Sequence, residues 1–175
     1  MFACIMTPGA ESSTTQNGCR CHPWLALLCW FALCNAAGAL GSLFTLQAVP
    51  TWYAGLAKPS WNPPAWVFGP VWTVLYVMMA VSAWLVWRGQ CGPARTLALR
   101  WFLLQLLINA MWSPVFFGGR NPAAGFAVIV ALWVSIVITL ARFWKLSRPA
   151  ATLLVPYLAW VSFASALNLA LWKLN

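Results

Sequence analysis

The stretch W-Y-A-G-L-A-K-P-S-W-N-P-P-A-W-V-F-G-P-V-W-T-V-L-Y, from Trp52 to Tyr76, decides how this chain is read. Two apolar runs of membrane length meet in it, and the join holds four tryptophans, four prolines and a single lysine. Asn62 stands where an N-cap belongs and Pro63 at the first helical position, where a missing N–H costs nothing, so a helix is expected to begin here. Beyond it Trp66, Trp72 and Tyr76 recur at helical spacing, and Gly69-Pro70 leaves the Trp66 carbonyl without its usual donor. Upstream, Trp52, Tyr53 and Trp61 flank Lys58-Pro59 in a restrained loop whose rings suit a membrane–water boundary.

Working outward, 63% hydrophobic and 6% charged residues in a chain of 175 are incompatible with a water-soluble globule, in which roughly a quarter of residues carry charge. The expected fold is all-α, a bundle of five transmembrane helices near residues 24–48, 63–87, 96–117, 122–141 and 150–172. They form one membrane domain over residues 24–175, preceded by a polar, disordered leader over residues 1–23 that contains the single acidic residue, Glu11. The net charge of +9 falls almost wholly in loops and is read as topology and contact with membrane lipids, with no nucleic-acid partner.

Arg20, Arg88, Arg95, Arg142, Lys145 and Arg148 lie on one side of the threaded chain, against Lys58, Arg120 and Lys173 on the other. That bias puts the N-terminus in the cytoplasm if the membrane is a bacterial cell envelope. In an organelle, such as at the mitochondrial outer membrane, the same tally reads differently.

Cys4, Cys19, Cys21 and His22 match no zinc spacing and lack a completing ligand downstream, so no metal site is expected. The first span carries small residues on one face: Cys34, Ala37, Gly38, Gly41 and Ser42. Such a face admits a neighbouring helix, a second copy of the chain in a homodimer, or a flat ligand. In the third span Gln105, Asn109, Trp112 and Ser113 share a helical face that must point into the bundle, because a polar group in hydrocarbon needs a partner. The fourth span has no polar stripe and is expected to be a lipid-facing scaffold. In the fifth, Trp160, Ala164 and Asn168 share a face.

Threading the spans brings Trp72, Asn109, Trp160 and Ala164 to one depth, roughly 12 to 18 Å below the end that the Trp52–Asn62 loop covers. Aromatic rings with few polar groups at a common level imply a pocket for a large, flat, poorly soluble ligand. The spans hold no Asp, Glu or His, which argues against an ion-coupled transporter, and no acid pair, nucleophile–base set or phosphate loop is present.

The Trp52–Tyr76 stretch resembles the signature of the translocator protein family, also called the tryptophan-rich sensory proteins or peripheral-type benzodiazepine receptors (TspO/MBR). Further matches lie in L-I-N-A-M-W-S-P-V-F-F, from Leu107 to Phe117, and V-P-Y-L-A-W-V-S-F-A, from Val155 to Ala164. The resemblance implies five helices, often dimeric, around a pocket closed by the first loop that binds protoporphyrin IX, haem, sterols in animal members, or synthetic benzodiazepine-type ligands. It also implies ligand contacts at Trp52, Tyr53, Trp72, Asn109, Trp112, Trp160 and Ala164, with Gly38 on the first span, and no required cofactor. Two further roles follow from it: light-dependent porphyrin breakdown with Trp52 and Trp160 taking part, and transport of tetrapyrrole or sterol. Tyr157 has no Lys or Arg within five residues, which favours tetrapyrrole over sterol.

Overall fold

The computed structural model describes residues 22–175; most of the polar leader, with Cys4, Cys19 and Cys21, lies outside the described residues. It contains five helices long and apolar enough to cross a membrane. These are α1 (Pro23–Ala48), α2 (Phe68–Trp87), α3 (Pro93–Ser113), α4 (Pro122–Leu146) and α5 (Arg148–Leu174). A 3-10 turn, Ala65–Val67, leads into α2, and a π-helical turn, Pro114–Gly118, extends α3.

Proline at the first turn opens α1, α3, α4 and α5, where its missing N–H removes no bond. At α4 the cap is complete: the Asn121 Oδ1 accepts from the Ala124 N–H at 3.0 Å. Asn62 behaves differently from the sequence expectation. The second span begins at Ala65, and the Asn62 amide accepts from the Tyr53 hydroxyl at 2.9 Å and donates to the Pro63 carbonyl. With Pro63 and Pro64 both lacking an N–H, the following turn offers Asn62 little to cap, and the loop claims its side chain.

The helices are also longer than expected at two ends. α4 runs through Arg142 and Lys145 to Leu146, and Ser147 alone joins it to α5. Cations in a last turn favour the helix dipole and carry their heads to the interface on aliphatic stems, so they do not end the span. Between α2 and α3, Arg95 Nη1 donates to the Trp87 carbonyl at 2.8 Å, satisfying a group at the end of α2.

Contacts between neighbours close into a ring in the order α1, α2, α5, α4, α3. At the end remote from the Trp52–Asn62 loop the ring is packed solid. Phe102 stacks on Phe143 with centroids 5.9 Å apart, Trp30 meets Phe102 edge-on, and the Ser82 hydroxyl donates to the Ala150 carbonyl at 2.7 Å. Toward the loop a second cluster of Ala48, Phe116, Phe117, Leu167 and Leu171 forms. α1 is the least enclosed member, burying only Cys34, Ala37, Gly41 and Ala48, so most of its surface is left for lipid. α4, expected to face lipid, buries Gly125, Ile129, Leu132, Ser135, Ile136, Thr139 and Phe143 along one face. The Ser135 and Thr139 hydroxyls donate to their own helix, which hides their polarity from any stripe count.

Candidate binding cavity

Between the two packed regions lies a cavity of about 760 Å³, walled by all five helices and roofed by the loop. That volume is within the range of small-molecule and cofactor sites, about 300–1,000 Å³. Each helix gives it a different chemistry. α1 supplies small groups, because a Cβ at Gly38 would overlap the Tyr76 ring, so glycine there lets the ring lie against the α1 backbone. α2 supplies Trp72 and Tyr76, stacked with centroids 5.5 Å apart. α3 supplies Asn109 and Trp112, α4 Ile129 and Leu132, and α5 Trp160 and Ala164.

The polar groups in this wall are mostly bound to one another. The Tyr76 hydroxyl donates to Asn109 Oδ1 at 2.7 Å, and Asn109 Nδ2 donates to the Tyr157 oxygen at 3.1 Å. The Tyr157 hydroxyl in turn donates to Gln105 Oε1 at 2.9 Å. A second chain runs from Trp112 Nε1 to Asn168 Oδ1 at 3.3 Å and from Asn168 Nδ2 to the Pro122 carbonyl at 2.7 Å, tying α3, α5 and the start of α4 together. At the cavity, two buried donors have no hydrogen-bond partner among the described residues, Trp160 Nε1 on the wall and Gln105 Nε2 behind it; the third such donor, Arg95 Nε, lies at the opposite end of α3. Among the described residues no charged side chain lines the cavity, and no group of His, Cys, Asp or Glu is arranged to hold a metal.

The loop is held down by its own contacts. Tyr53 packs edge-on to Phe117 at 5.8 Å, and Trp61 meets Phe163 at 5.8 Å. Lys58 Nζ donates to the carbonyls of Ala54 and Leu56 and sits 5.0 Å from the Tyr53 ring centre, a cation over a π face. Asn175 closes a reciprocal pair with the loop backbone, accepting from the Ala57 N–H at 2.9 Å and donating to the Ala57 carbonyl at 3.1 Å. Burial pushes the Tyr53 hydroxyl above its ordinary value, because ionising it there forfeits hydration.

Gly38, Tyr53, Trp72, Asn109, Trp112, Trp160 and Ala164 all line the cavity. Trp52 does not: its ring stands one layer out, edge-on to Phe116 at 5.6 Å and Phe117 at 6.5 Å, and those two phenylalanines take the wall position. Trp133, equally deep in the membrane, turns outward and donates to the Ser162 hydroxyl at 2.8 Å. Sequence reasoning missed the coupling of Tyr157 and Gln105 to Asn109, and the Asn175 latch. A polar stripe on α3 foretold that Gln105 and Asn109 need partners, but nothing local says which residue of α5 supplies them.

The model of the TspO/MBR family matches residues 30–173. The chain belongs to the TspO/MBR family. Among its relatives, the tryptophan-rich protein TspO of Chlorobaculum tepidum is 45% identical over 152 residues, covering 86% of this chain and 96% of the relative. The translocator protein of Homo sapiens is 40% identical over 158 residues, covering 87% and 92% respectively. The protein CrtK of Rhodobacter capsulatus is 39% identical over 147 residues, covering 83% and 90%. With five membrane-length helices, this TspO/MBR member is an integral membrane protein, and the family stretch from Trp52 to Tyr76 is the segment that roofs and opens its cavity.

Proposed function

We propose that this TspO/MBR protein is a membrane receptor for hydrophobic planar ligands, porphyrins such as protoporphyrin IX and haem foremost. The supporting observation is the aromatic, uncharged cavity beneath the loop, whose wall includes Trp72 and Tyr76 of α2, Trp112 of α3 and Trp160 of α5. Rings of this kind stack on a flat apolar guest. Asn109 serves mainly to fix Tyr76 against Trp72, since its amide already bridges two tyrosines. Binding needs no cofactor, and the distribution of cations orients the N-terminal end of α1 toward the cytoplasm of a bacterial cell.

The test is a titration of detergent-solubilised protein with protoporphyrin IX, followed by quenching of tryptophan fluorescence. Trp72→Ala and Trp160→Ala each remove a stacking face and are expected to weaken binding about tenfold or more. Trp133→Ala, which changes an outward-facing ring, should leave affinity unaltered. Equal affinity in all three variants and the wild type would reject the site.

A further inference from the structure

Among the described residues, the cavity's lining reaches the outer surface on the side of α1, α2 and the loop segments next to them. Its lining residues on α3, α4 and α5 are buried or half-buried, whereas Ala39, Ser42 and Leu46 of α1, Pro50 after it, Ala65 and Trp66 of the 3-10 turn, and Gly69 and Thr73 of α2 are exposed. The opening therefore lies between α1 and α2 and faces sideways. The loop end is tied by the Asn175–Ala57 pair and the Tyr53–Asn62 bond.

Resting on the receptor reading above, we propose that a tetrapyrrole enters this cavity edge-on and leaves its ionised groups in the α1–α2 opening. The ligand class is thus a porphyrin whose carboxylates are confined to one edge. No lining side chain among the described residues is charged, and an ionised carboxylate taken into such a wall loses its hydration with no cation to replace it. The hydroxyls at the opening do not help, because Ser42 donates to the Ala39 carbonyl at 2.7 Å and Thr73 to the Gly69 carbonyl at 3.0 Å. Leu46, by contrast, stands at the loop end of the opening, two residues from the end of α1 and so about 3 Å below it, where water and lipid headgroups solvate charge. A dicarboxylate with both acids on one edge fits this arrangement; a ring with acids on every side does not.

The experiment uses the full chain in phosphatidylcholine nanodiscs and three probes: protoporphyrin IX, its uncharged dimethyl ester, and the octacarboxylate uroporphyrin. In the wild type the ester is expected to bind at least as tightly as the free acid, and uroporphyrin about a hundredfold more weakly. Leu46→Arg places a cation at the opening on a residue that is 72% exposed, and Leu43→Arg places one at a similar height, 60% exposed, away from it. Leu46→Arg should raise the preference for the free acid over the ester about tenfold, whereas Leu43→Arg should leave that preference as in the wild type. Uroporphyrin binding as tightly as protoporphyrin, or Leu46→Arg acting equally on acid and ester, overturns the edge-on orientation while leaving the receptor reading intact. Failure of both acid and ester to bind the wild type overturns the receptor reading and this one with it.

Discussion

Replacing Tyr157 by Phe isolates the buried hydrogen-bond chain that sets the cavity wall. Tyr157 is fully buried, and its hydroxyl both accepts from Asn109 and donates to Gln105. Phenylalanine keeps the ring, so the change strands two polar groups without opening a large void. Each stranded group costs about 1–3 kcal/mol in a water-soluble protein, but polar pairs between membrane helices average only about 0.6 kcal/mol and reach about 1.7. Two of them therefore make Tyr157→Phe destabilising by about 2 kcal/mol. Gln105 refines the expectation, because its Nε2 already lacks a partner and Gln105→Leu removes that liability together with the Oε1 acceptor. The double variant should then be about 1 kcal/mol more stable than the two single losses added together. Reversible unfolding in mixed micelles, followed by circular dichroism, measures all four corners of the cycle. A Tyr157→Phe loss under about 0.5 kcal/mol, or strict additivity with Gln105→Leu, would refute the claim that these groups form one coupled chain.

Three further outcomes are expected. Gly38→Ala forces the Tyr76 ring off α1 and away from Asn109 and Trp72, so protoporphyrin affinity should fall about tenfold; unchanged affinity in the quenching titration would show that the wall tolerates the shift. Asn175→Ala removes both bonds to Ala57, each worth about 0.5–1.5 kcal/mol net of competition with water, so amide exchange at Ala57 should quicken about fivefold or more; an unaltered rate would mean that the latch is idle. Tyr53 is favoured in its neutral form by burial, so its contribution is complete below the ordinary tyrosine value of about 10 and is lost as pH rises through the higher folded value. Thermal midpoints in detergent should accordingly fall more steeply above about pH 10 in the wild type than in Tyr53→Phe, and parallel curves would exclude Tyr53 as the source.

The roster of site residues divides along a physical line. Trp72, Asn109 and Trp160 were legible because the number of residues from a helix end fixes depth, and residues at one depth on inward faces must meet. Trp52 was misplaced for the converse reason: a loop residue has no fixed rise, and the turn after α1 sends its ring behind Phe116 and Phe117. Asn62 shows a local rule without its substrate, since Pro63 and Pro64 present no N–H to cap and the side chain bonds the Tyr53 hydroxyl instead. α4 was judged by its lack of polar residues, a pattern that does not distinguish lipid from a cavity lined by Ile129 and Leu132.

By itself, the sequence determined the membrane class, the five spans, most of their ends and the stripe on α3 that faces inward, because hydrocarbon length, proline chemistry and helical period act on neighbouring residues. Only the tertiary structure decided the ring order of the helices. From that order follow the Tyr76–Asn109–Tyr157–Gln105 chain, the hold of Asn175 on the loop and the opening between α1 and α2. Each of these depends on which helix stands beside which, and adjacency between segments far apart in the chain is set by the summed packing of their side chains and leaves no periodic mark in any one of them.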